Sequence, residues 1–168
     1  MIRTGEDYRE SIRDGRNVWI DGERVEDVTT HPAFQPIVDV RARIYDLGHD
    51  ELTRDTMTYV DEQSGEVCAI GSKPPLTKAD WHAKRRGVDT ILDHAGGVVT
   101  RVGDETVGEM WSLADGQDVL DKINPDFSEN IVRHVRNATL HDPFHVSANT
   151  DPKGDRSKWP QEQDPDVL

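Results

Sequence analysis

The sequence predicts a mainly α domain with short β-hairpins, and three observations predict it. Apolar residues recur at helical spacing over several separate stretches. Two pairs of short β-prone runs flank turn sequences, Asp21-Gly22 and the 61–65 segment ending in Gly65. Gly and Pro clusters stand mostly between these segments rather than inside them. At 168 residues the chain has the size of one domain with room for a real core. A hydrophobic content of 34% and a mean hydropathy of −0.75 are low, yet the apolar residues are grouped into periods rather than diluted, so the body is expected to fold.

The first element is a helix capped by Thr4, with Glu6 and Asp7 in its first turn, running through about Asp14 and ended by Gly15. Val18-Trp19-Ile20 and Glu23-Arg24-Val25 then pair across Asp21-Gly22, a dipeptide suited to the positive φ values of a type I′ turn. The run Thr29-Thr30-His31-Pro32 opens a second helix to about Gly48, with Phe34, Ile37, Val38, Ile44, Tyr45 and Leu47 sharing a face and Pro36 tolerated in the first turn. Residues 56–60 and 66–70 are expected as two strands, and Lys73-Pro74-Pro75 breaks what precedes it. Thr77 with Asp80 starts a helix to about His94, closed by Gly96-Gly97. Shorter helical patterns cover 105–113 and 126–140, and beyond Pro143 no regular period survives.

Charge limits the partners. The chain has 33 Asp and Glu against 20 Lys and Arg, for a net −13, and six of those cations are Lys. Nucleic acid is excluded on this count, because phosphate backbones are held by clustered cations. The longest basic run, Lys84-Arg85-Arg86, is expected on a solvated helix face. An acidic, Lys-poor surface is what a protein kept soluble in concentrated salt carries, so a salt-adapted source is expected. A single cysteine, Cys68, excludes an intrachain disulfide framework and fits a reducing cytoplasm. Arg3, Glu6 and Asp7 close to the amino terminus are unlike a signal peptide, and no apolar run approaches the roughly 20 residues that cross a bilayer. No membrane partner is expected.

Chemistry is concentrated late in the chain. Residues 141–157 bring an imidazole, an amide, hydroxyls, carboxylates and two cations into one polar segment, with eleven residues after it. His141 and His145 have metal-ligand spacing, but Pro143 spoils the helix between them and no third ligand is fixed nearby, so no metal is expected. The other histidines, His134 included, fall on helix patterns or at their ends and receive no role. Gly71-Ser72-Lys73 lacks the phosphate-loop order, and Gly96-Gly97 with Gly103 lacks the dinucleotide spacing. Arg101 follows a double glycine and precedes Gly103, where a guanidinium could leave a tight turn as an anion clamp. The bland alternative is a surface pair with Asp104.

Several of these stretches together resemble one family. Arg3-Thr4-Gly5-Glu6-Asp7-Tyr8, Asp14-Gly15-Arg16, and the run from Asp21-Gly22-Glu23 through Thr29-Thr30-His31-Pro32-Ala33-Phe34 resemble the opening of the large, flavin-using component of 4-hydroxyphenylacetate 3-monooxygenase and its relatives. The likeness continues in order through Arg101 and the His145 loop. It implies the amino-terminal helical domain of an acyl-CoA-dehydrogenase-like flavoprotein, with residues 1–142 as that domain and 143–168 as a flavin and substrate loop with a polar tail leading to a β domain not present in this sequence.

The resemblance also implies roles. Arg101 and His145 are the catalytic candidates, and Arg101, Asp104, Glu105 and His145 would contact the substrate; Glu105 stands where the family has a tyrosine, which puts the usual substrate in doubt. His145, Val146, Ser147, Ala148, Asn149, Asp155, Arg156 and Ser157 would contact FAD, delivered reduced by a separate flavin reductase. His145 would favour the ionised phenol and Arg101 would stabilise developing negative charge. The implied reaction adds oxygen ortho to a phenol hydroxyl in an oligomeric enzyme, with this chain a truncated copy or one piece of a split enzyme, inactive alone. The alternatives are a non-catalytic relic or interaction domain, and a 4-hydroxybutyryl-CoA dehydratase-like protein. The latter is disfavoured because that branch holds an iron–sulfur cluster partly through cysteines in this region, and Cys68 stands alone.

Overall fold

A computed structural model describes residues 2–97, 104–146 and 157–162. It is mostly helical, with two separate two-stranded antiparallel hairpins. Helix α1, Gly5–Ser11, carries a reciprocal capping box: the Thr4 hydroxyl accepts from the Asp7 N–H, and the Asp7 carboxylate accepts from the Thr4 N–H. It stops about three residues before the expected end. The Asp14 carboxylate accepts from both the backbone and the guanidinium of Arg16, and Arg13 turns aside to Asp27 and Thr29, so side chains compete with the helix there.

Strands β1 (Val18–Ile20) and β2 (Glu23–Val25) pair in the expected register, Val18 with Val25 and Ile20 with Glu23. Asp21 and Gly22 take φ of 51° and 82°, the pair of positive values a type I′ turn needs. Helix α2, Gln35–Asp46, begins with Pro36 in its first turn, after turn hydrogen bonds from Phe34 and Gln35 to the His31 carbonyl. Its packed face differs in part from the expected one. Val38, Ala42 and Leu47 are buried, whereas Ile37 is exposed.

The first expected strand of the second hairpin is shortened by a helical turn. Residues Arg54–Met57 form α3, and the strands are β3 (Thr58–Val60) and β4 (Val67–Ala69). Met57 is buried against Leu47 and Ile91, and the Thr53 hydroxyl donates to the Leu47 carbonyl at 2.6 Å, so tertiary packing holds this turn against β propensity. Between β3 and β4 the Asp61 carboxylate accepts from the N–H and hydroxyl of Ser64. A 3₁₀ turn, Ile70–Ser72, leads into α4, Lys78–His94, which repeats the capping box with Thr77 and Asp80. At its other end the Gly97 N–H bonds the Leu92 carbonyl at 2.7 Å, with Gly96 and Gly97 both at positive φ, a Schellman closure.

Helix α5, Asp104–Asp115, is longer than its pattern, and a single turn, α6 (Gln117–Leu120), follows it. Helix α7, Asp126–His141, ends at Asp142 in the left-handed region, φ 46°. A short 3₁₀ turn at Pro160–Glu162 interrupts the tail, where no element was expected. The core has two centres: Tyr8, Val38 and Ala42 join α1 to α2, and Leu47, Met57 and Ile91 join α2, α3 and α4. Leu47 is fully enclosed, which is worth about 1.5–3 kcal/mol relative to exposure. Among the described residues no helix is long and apolar enough to cross a membrane.

Candidate functional site

The amino-terminal motif and the end of α7 meet. Asp142 is the joint: its carboxylate accepts the Arg3 N–H at 3.3 Å, and its carbonyl accepts the Tyr45 hydroxyl at 3.3 Å. Burial pushes the Asp142 carboxyl up and the Tyr45 phenol up to about 12. Arg3 also stacks its guanidinium over the Tyr45 ring, 5.6 Å from the centroid, and offers its carbonyl to His49 Nε2 at 3.1 Å. Two residues on, Phe144 lies beside Tyr8, with 6.0 Å between centroids, and under the Arg41 guanidinium at 4.6 Å. Helices α1 and α2 thus form the bed on which the segment after α7 rests.

That bed places His145. The left-handed turn at Asp142 reverses the chain, and the His145 ring returns to α7 at His134, centroids 5.6 Å apart and planes at 87°. Burial, and secondarily His134, hold the His145 pKa below the usual imidazole range, so the neutral ring is favoured. His145 lines a cavity of about 360 Å³, whose walls include Tyr45 from α2, Ile91 and Lys84 from α4, and Met110 and Trp111 from α5. This volume lies at the lower end of ordinary small-molecule pockets.

Lys84 does not belong to the solvated face expected of the Lys84-Arg85-Arg86 run. Arg85 and Arg86 are exposed, but Lys84 turns inward and donates to the carbonyls of Gly71 and Lys73. Desolvation pushes its pKa down to about 8. The signal for this was present in the spacing, since Lys84, Gly87, Val88 and Ile91 share one helix face and all four line the cavity. His134 had no such signal, because its partner is brought back by one left-handed residue.

Of the residues singled out from sequence, His145 and Val146 follow α7, with His145 partly buried and Val146 exposed. Asp104 and Glu105 open α5. Ser157 is exposed. Arg101, Ser147, Ala148, Asn149, Asp155 and Arg156 lie outside the described residues. Among the described residues no group of three or more His, Cys, Asp or Glu side chains converges as a metal site, and His145 pairs with His134 rather than His141.

Comparison with known proteins bears on what this arrangement belongs to. The model of the 4-hydroxyphenylacetate 3-hydroxylase N-terminal family matches residues 4–168. The chain belongs to this family. It is 32% identical to the oxygenase component of 4-hydroxyphenylacetate 3-monooxygenase from Thermus thermophilus, over 97% of this chain and 33% of the relative. It is likewise 32% identical to 2,4,6-trichlorophenol monooxygenase from Cupriavidus pinatubonensis, over 94% of this chain and 31% of that one. The chain therefore spans about a third of the length of these relatives.

Among solved structures, an oxygenase component of 4-hydroxyphenylacetate 3-monooxygenase complexed with FAD and 4-hydroxyphenylacetate superposes with a TM-score of 0.81 at 31% identity, covering 96% of this chain and 33% of that one. A 4-hydroxybutyryl-CoA dehydratase from N. maritimus gives 0.80 at 26% identity, covering 99% of this chain and 33% of that one. The fold is accordingly the amino-terminal helical domain of the acyl-CoA-dehydrogenase-like architecture.

Proposed function

We propose that this chain supplies the amino-terminal wall of the active site in a two-component, FADH2-dependent hydroxylase that adds oxygen ortho to a phenol hydroxyl. The observation that carries the reading is the placement of His145, anchored through Asp142 and Phe144 to the family's amino-terminal motif and facing a cavity sized for one substituted aromatic ring. The catalytic unit comprises these residues together with the part that the relatives carry beyond the matched third, in one chain or in two. Exposed Trp81, Ile123 and Phe127 offer apolar surface for that part and for oligomer contacts.

The residues present fit such a cofactor at one edge. Residues 145–149 and 155–157 would hold FAD, since their amide, hydroxyl and guanidinium groups suit a polar, phosphate-bearing ligand. When bound, reduced FAD supplies, with dioxygen, the electrophilic oxygen of the reaction. The chain's own residues do the rest. Neutral His145 accepts the phenol proton at a ring nitrogen, which raises electron density at the ortho carbon; Arg101 stabilises the resulting negative charge, and Asp104 and Glu105 set the orientation. Glu105, an acceptor in place of a tyrosine hydroxyl, disfavours substrates with an acidic tail and selects phenols with a donor there.

The same proposal places residues 1–142 as the helical domain and 143–168 as the flavin and substrate loop, with a flavin reductase as the functional partner. It also sets the protein in a reducing, salt-rich cytoplasm, supported by the buried thiol of Cys68 and the net −13 charge. A dehydratase-like reaction gains no support from the single buried cysteine. The test is oxygenation of a phenol panel by the complete unit. His145→Ala and Arg101→Ala are each expected to lower turnover by about 10²–10³-fold, whereas Glu105→Tyr shifts preference towards acid-bearing phenols. Turnover unchanged in both alanine variants would remove the reading.

A further inference from the structure

We infer that His134 is a positioning residue for His145: its ring fixes the orientation of the His145 imidazole and, when charged, opposes protonation of it. The inference deepens the reading of His145 as the imidazole beside the phenol, and rests on it for its functional meaning. The geometry is specific. His134 sits on α7 two helical turns before the helix ends at His141, and the left-handed residue Asp142 folds the following segment back along the helix. Phe144 is held by Tyr8 and Arg41, so the return path is fixed, and it brings the His145 ring perpendicular to that of His134 with centroids 5.6 Å apart. Perpendicular ring packing restrains a ring's rotation, and so the direction in which the His145 ring nitrogens point.

The charged groups around His145 sharpen the role. Arg41 from α2 and Lys84 and Arg85 from α4 line the same cavity, Asp142 stands at the end of α7, and His134 faces the ring from α7 itself. Imidazole ordinarily changes charge between pH 5 and 8, and of the other groups Lys84, brought down to about 8 by desolvation, titrates at the upper edge of that range. The Asp142 carboxylate, the one anion of the set, is engaged by the Arg3 N–H. His134 is exposed, so its influence is screened by salt.

The test is the proton titration of His145 in the chain by NMR of the imidazole carbon-bound protons, assigned with His145→Gln. It needs neither flavin nor phenol, so it stands or falls separately from the hydroxylase reading. His134→Phe keeps an aromatic ring and removes the charge, and is expected to move the His145 midpoint up. His134→Lys makes the charge permanent, and is expected to move it down, with both displacements shrinking at 1 M salt. Opposite signs are the signature of charge rather than of packing. Midpoints that do not move, or that move in the same direction in both variants, overturn the inference.

Discussion

Replacing Gly5 by alanine tests whether the amino-terminal motif is a packing device that holds the site together. A Cβ at position 5 would stand 2.6 Å from the Ala42 carbonyl oxygen and 2.7 Å from Asp46 Oδ2, so α1 and α2 must move apart by several tenths of an ångström. Because the nearest clash is with backbone, no rotamer change relieves it. Overpacking of this kind costs about 1–3 kcal/mol. The displaced Gly5 N–H also weakens its 2.7 Å bond to the Asp46 carboxylate, for about 1 kcal/mol more, and alanine's helix propensity returns about 1 kcal/mol. The net is about 2 kcal/mol of destabilisation, or about 4–8 °C in melting temperature for a chain of this size.

Gly108→Ala is the matched control: a Cβ there meets nothing within 4 Å, it lies within α5, and its exposed position leaves propensity in charge. That variant is expected to gain up to about 1 kcal/mol. Thermal melts followed by circular dichroism, checked by urea titration, measure both. A Gly5→Ala protein as stable as the parent, or a Gly108→Ala protein that loses as much, refutes the close-approach argument.

Two further outcomes follow from buried or paired carboxylates. Asp61 joins the β3–β4 turn to α7 through Ser64 and through Arg136 at 2.9 Å, so Asp61→Ala leaves Arg136 without this partner and is expected to cost about 2–3 kcal/mol by urea unfolding. The Asp80 carboxyl is pushed down to about 2 by the Lys73 ammonium and then by Thr77, below its ordinary 3.8. Its contribution is therefore fully present above pH 4 and lost as pH falls towards 2. The urea midpoints of the parent and Asp80→Asn should differ at pH 6 and converge near pH 2; a gap that persists contradicts this.

Local chemistry made much of the fold legible. The Thr4 cap, the Thr77–Asp80 capping box and the Asp21-Gly22 turn are written in two to four adjacent residues, and the structure has all three. What escaped depends on contacts distant in sequence. The α3 turn at Arg54–Met57 follows from Met57 packing on Ile91, and the early end of α1 follows from Arg13 reaching Asp27 and Thr29. The site divides in the same way. His145 stood out through its loop composition and family likeness, while Lys84 was hidden because a basic run suggests solvent, although its period with Gly87 and Ile91 pointed inward. His134 was illegible because a single non-glycine residue at positive φ, Asp142, decides what it faces.

Product formation tests the central claim most directly. The chain is combined with a polypeptide carrying the remainder of a relative, reduced FAD, dioxygen and a phenol, and the ortho-diol is quantified against the chain alone. The account predicts diol from the combination, loss of most of it in the combination carrying His145→Ala, and none from the chain by itself. Diol from the isolated chain, or from a combination indifferent to His145, would contradict it.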